Sequence, residues 1–91
     1  MSGRPIIIVP ESTKPVWRSP EKAREFWDGY IDVMIAKWGE IARVVASRIG
    51  YYTVKEIYET VARMDSSITL SKVVDILLDL YEKKYIEFST G

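Results

Sequence analysis

Three helix starts are written into this chain, and they leave it few folds. Ser19-Pro20-Glu21-Lys22 offers a hydroxyl at the N-cap, proline at the first helical position and an acid in the first turn. Thr53-Val54-Lys55-Glu56 has the spacing of a capping box. Thr69 stands before the apolar positions Leu70, Val73, Val74, Leu77, Leu78, Leu80 and Tyr81. Behind Pro20, apolar residues recur at helical spacing from Ala23 and Phe26 to Val45 and Ile49, and Gly50 suits the C-terminal cap. Gly39 interrupts that run at about 1 kcal/mol relative to Ala, so it is one long helix or two meeting near Trp38-Gly39. The second helix is expected to run to about Met64 over a core of Val54, Ile57, Tyr58 and Val61, and the third from Leu70 to about Lys84. Tyr51-Tyr52 reads as a very short strand, and Tyr85–Phe88 as an alternating one. The expected fold is therefore mainly α with a small β-sheet.

Upstream, residues 1–18 carry Pro5, Pro10 and Pro15, three of the chain's four prolines. They read as an extended arm leading into a single domain over 19–91. Ile6, Ile7, Ile8 and Val9 stand between two of those prolines. Four residues fall far short of the roughly 20 apolar residues a membrane span needs, so no membrane segment is expected. No signal-peptide pattern is present, and a cytoplasmic location is expected. Ile6–Val9 is expected either to pair within the domain's own small sheet or to lie over the first helix. The alternative is that it adds a strand to a partner.

Composition narrows the chemistry. Thirteen basic residues balance thirteen acidic ones, which gives no general attraction to nucleic acid. The chain has no Cys and no His, so thiol chemistry, disulfides, Cys/His zinc sites and a histidine base are excluded. No catalytic, metal-binding or cofactor-binding residue is expected, and no cofactor. Asp75 and Asp79 lie four apart on the third helix, but no third ligand converges on them, and a solvated face is the expected reading. Asn and Gln are missing too, beside abundant Glu, Lys, Arg and Ile, which is the thermophile pattern.

Helix, short strand, helix, tight turn, helix, strand, carried by YYTVKEIYETVARMDSSITLSKVVDILLDLYEKKYIEF over Tyr51–Phe88, resembles a winged helix-turn-helix domain. With the first helix included, the likeness covers residues 31–88. It implies a winged-helix-like three-helix core whose third helix enters the major groove, with Lys72, Val73, Val74 and Asp75 at the reading positions. The chain departs from that pattern twice. Asp75 stands where arginine is common, and the outward face of Ser71, Lys72, Asp75, Asp79, Glu82 and Lys83 nets one negative charge, against phosphate docking. After Phe88 only Ser89, Thr90 and Gly91 follow, so the wing is truncated. A member of this superfamily that binds protein, with direct DNA binding weak or absent, is the expectation. Size and composition also look like those of the small accessory subunit of a crenarchaeal family-B DNA polymerase holoenzyme. That likeness implies an archaeal replication protein whose partner is a DNA polymerase or another nucleic-acid enzyme. The alternative is a small winged-helix transcriptional regulator, a homodimer through its first helix. The apolar side of that helix covers roughly 200°, where about 100° serves a surface helix.

Five of the eleven aromatic residues fall in the first 38 positions. Phe26 and Trp27 are adjacent, about 100° apart on a helix, so one flat contact hardly buries both. The candidate partner interface is Ile6, Ile7, Ile8, Val9, Trp17, Phe26, Trp27, Tyr30 and Val33. Arg4, Lys14 and Arg18 make the arm basic around Trp17, and with Lys72 they are the candidate nucleic-acid contacts.

Overall fold

In the computed structural model, which describes residues 10–89, strand β1 (Lys14–Trp17) pairs antiparallel with strand β2 (Ile86–Ser89). Lys14 stands opposite Ser89 and Trp17 opposite Ile86. Between the strands come α1 (Pro20–Glu25), a π-helical turn (Phe26–Tyr30), α2 (Ile31–Trp38), α3 (Ile41–Ser47), α4 (Val54–Met64) and α5 (Leu70–Glu82). The fold is mainly α with one small sheet.

The helix starts are where their residues ask for them. Ser19 Oγ accepts from the Lys22 N–H at 3.1 Å, with Pro20 in the first turn. Thr53 Oγ1 accepts from the Glu56 N–H at 3.2 Å, and Glu56 Oε1 accepts from the Thr53 N–H at 2.8 Å, completing the capping box. Thr69 Oγ1 accepts from the Lys72 N–H at 3.1 Å.

The first helical stretch divides at Gly39, whose φ of 90° and ψ of −175° belong to glycine alone. Its carbonyl accepts from the Ala42 N–H at 3.0 Å and starts α3. A second irregularity is the π turn, in which the Ile31 N–H reaches back five residues to the Phe26 carbonyl. The extra residue sets Phe26 and Ile31 both toward the core and leaves Trp27, Asp28 and Gly29 outside.

One core runs through the described residues. Phe26, Met34, Ile57, Ile76, Leu77, Leu80 and Ile86 are fully buried in it. Ile76, absent from the expected core of α5, is among the deepest, whereas Tyr81 is exposed and Val74 and Leu78 are half-buried. Tyr51-Tyr52 is a turn, not a strand: both N–H groups bond to the Arg48 carbonyl at 3.1 Å. α5 ends at Glu82, and Lys84 takes a φ of 67° before the chain extends.

Ile6–Val9 lies outside the described residues. The strand beside β2 is Lys14–Trp17, so the later part of the arm is built into the fold. The Gly50 N–H donates to the Pro15 carbonyl at 2.7 Å, Val54 to Thr13 at 2.9 Å, Lys55 to Glu11 at 3.0 Å, and Arg18 to Tyr85 at 3.0 Å. Pro15 costs no ladder bond here, as expected of a proline on an edge.

Candidate interaction surfaces

Phe26 is the centre of an aromatic cluster. Its ring centroid lies 5.3 Å from Trp17, 5.2 Å from Trp27, 6.1 Å from Tyr30 and 5.9 Å from Tyr85. β1, the π turn and the residue before β2 supply these rings, so the cluster ties the sheet to the first helix. Phe26 has no exposed surface, and its place in the expected partner interface is corrected: a partner can touch it only by opening the core. Trp17 and Tyr30 are half-buried, and Trp27 is 39% exposed at the edge of the cluster. Val33, 52% exposed on α2, takes no part in the cluster. Ile6, Ile7, Ile8, Val9 and Arg4 fall outside the described residues.

Asp79 is also corrected. It does not share a solvated face with Asp75: its side chain is only 8% exposed, beneath α2 and the π turn. Its carboxylate accepts from Tyr30 Oη at 3.0 Å, Trp38 Nε1 at 3.1 Å and Lys37 Nζ at 3.1 Å. Burial pushes this carboxyl up, but the donated hydrogen bonds and the Lys37 charge together hold it below the ordinary carboxylate value. The same contact acts oppositely on Tyr30, whose phenol is pushed up to about 12 by burial, by the bond it donates and by the Asp79 charge. With Asp79 withdrawn, the outward charges of α5 balance, Lys72 and Lys83 against Asp75 and Glu82.

Among the nucleic-acid candidates, Lys14 is exposed on β1, and Arg18 pairs with Glu87 across the sheet at 3.7 Å. Lys72 is half-buried at the edge of an apolar cleft of about 310 Å³ between the α2–α3 corner and the α4–α5 turn. Trp38, Ile41, Val44, Val61, Met64 and Ile68 line it, and Met64 stands 67% exposed at its rim. The rim acids are engaged: Asp65 accepts from the Ser67 hydroxyl at 2.6 Å, and Glu40 pairs with Arg43 at 3.3 Å. Met64 is absent from the sequence-based candidates. Its place at the end of an amphipathic helix, just before a turn, was the available signal.

A third surface is the turn before α4. Tyr51 is 76% exposed, and Tyr52 carries the Arg48 guanidinium 5.7 Å from its ring centroid. Gly50, with φ of 92°, makes this turn possible.

Among the described residues no group of three or more carboxylates could hold a metal ion, and no helix is long and apolar enough to cross a membrane. Compared with protein-family models, with curated proteins and with solved structures, the chain finds no match.

Proposed function

We propose that this chain is a non-catalytic accessory subunit that docks by protein–protein contacts on a nucleic-acid-processing enzyme, first among them a replicative DNA polymerase. The observation that carries the docking is the apolar cleft between Trp38 and Met64. It opens to solvent with a large thioether at its rim, and its acids are already engaged with Ser67 and Arg43. Such a recess accepts an apolar side chain of a partner. The choice of partner rests on the winged-helix and polymerase-subunit resemblances, and a cytoplasmic location in a thermophilic archaeon goes with it.

The test is a tagged pull-down from native lysate after nuclease treatment, with partners identified by mass spectrometry. A stoichiometric nucleic-acid enzyme is expected, and Met64→Glu, at an exposed position, should abolish its capture without changing Tm. Return of the chain alone, or capture indifferent to Met64→Glu, would overturn the reading. The homodimeric regulator would then take its place if duplex DNA binding falls steeply with salt and weakens in Lys72→Ala.

A further inference from the structure

We propose that the Arg48–Thr53 turn is a stacking platform for unpaired nucleobases, so that the chain binds single-stranded nucleic acid at a site of its own. The turn is rigidly built. The Gly50 N–H ties it to β1 through the Pro15 carbonyl at 2.7 Å, and the Tyr51 and Tyr52 N–H groups both return to the Arg48 carbonyl at 3.1 Å. Its one aliphatic residue, Ile49, is in the core. What remains at the surface is the ring of Tyr51, 76% exposed, and that of Tyr52, 37% exposed, with the half-buried Arg48 guanidinium 5.7 Å from the Tyr52 ring centroid. Arg48 Nη1 donates to Ser47 Oγ at 2.9 Å, while its Nε is buried and has no partner among the described residues, so only the outer edge of the guanidinium can reach a ligand. Lys14, beside the Pro15 that anchors Gly50, is exposed. Glu56, in the first turn of α4, has its carboxylate turned onto the Thr53 N–H.

A protein hot spot surrounds its aromatic anchor with a packed apolar patch. This turn offers the open ring of Tyr51 and the partly exposed ring of Tyr52 with a cation at hand, which suits bases and the phosphates between them. The site does not depend on the cleft. The two lie at opposite ends of α4, whose 11 residues span about 16 Å.

The test is fluorescence anisotropy of a labelled oligothymidylate, and of a duplex of equal length, against the full chain. Saturable binding to the single strand, and weaker binding to the duplex, is expected. Tyr51→Ala and Tyr52→Ala should each weaken single-strand binding at least about fivefold, whereas Tyr51→Phe should retain it. The salt dependence should be shallow, log K falling by about 0.7 per tenfold rise in salt for each phosphate neutralised. Equal binding of the two forms, no binding, or binding indifferent to both alanine variants would overturn the proposal. If Tyr51→Ala instead spares the oligonucleotide and lowers capture of the protein partner, the turn is a protein interface and the proposal fails. Capture that depends on Met64 alone leaves the accessory-subunit reading in place whatever the oligonucleotide does.

Discussion

Asp79 joins three donors from another part of the chain, and that sets what its loss does. Asp79→Ala leaves the Tyr30 hydroxyl and the Trp38 indole N–H without their acceptor. Hydrogen bonds to charged groups contribute about 1.5–3 kcal/mol each, and water replaces some of them, so a loss of about 2–3 kcal/mol is expected. Thermal melts check it, at about 4–8 °C per kcal/mol for a domain this size. The acid side follows from the sign of the shift. The Asp79 carboxyl sits below its unfolded value, near 3.9, so its contribution is full above that value and is lost as pH falls through the folded pKa. Asp79→Asn should flatten that part of the acid limb. Tyr30 works the other way: its contribution is full below about 10 and disappears as pH rises toward about 12. In an ultraviolet titration one of the six tyrosines should ionise near 12, and Asp79→Asn should bring it down only in part, because burial is the larger cause. None of this was readable in the sequence. The spacing of Asp75 and Asp79 gives a shared helical face, but not that α2 covers one end of that face.

Among the helical elements, the two glycines of the first stretch make opposite predictions. Gly29 lies in the π turn with a negative φ and open space where a Cβ would go. Gly29→Ala should therefore stabilise by about 0.5–1 kcal/mol, read by chemical denaturation. Gly39 also has open space, but its backbone is in a region reserved for glycine, and Gly39→Ala should cost about 1–3 kcal/mol. The cost first assigned to Gly39 as a helix-interior glycine thus reverses sign, because a helix ends there. Caps were legible because Ser19, Thr53, Glu56 and Thr69 act over three residues and depend on nothing distant. The π turn was not, because Phe26 and Ile31 share the core only once Trp17 and Tyr85 are packed against Phe26. Tyr51-Tyr52 misled for a related reason: tyrosine favours strands where a pleated, half-buried surface awaits it, and here the chain is turning at Gly50.

For the molecule as a whole, the sequence located the aromatic mass but could not divide it between core and surface. Phe26 and Trp27 are neighbours of similar character, yet one is the centre of the core and the other stands at its edge. The arm is the second lesson at this scale. Its prolines correctly marked an extended segment, but its carbonyls at Glu11, Thr13 and Pro15 receive backbone donors from the α3–α4 turn and the start of α4. A chain beginning at Ser19 should lose cooperative thermal unfolding, because it gives up β1, the ring of Trp17 and those three acceptors together. Circular dichroism on that truncation checks it.

The register of β1 on β2 has a mechanical consequence. Lys14 and Ser89, the outermost rung of the ladder, lie at the same end of the sheet. Tension applied along the chain from both sides therefore loads the rungs in succession, Lys14 with Ser89 first and Trp17 with Ile86 last, as a zipper is drawn. From the N-terminal side the bonds from Lys55 to Glu11 and from Val54 to Thr13 stand in front of the first rung, so α4 feels a pulling force before the ladder opens, whereas from the C-terminal side the first barrier is the single rung at Ser89.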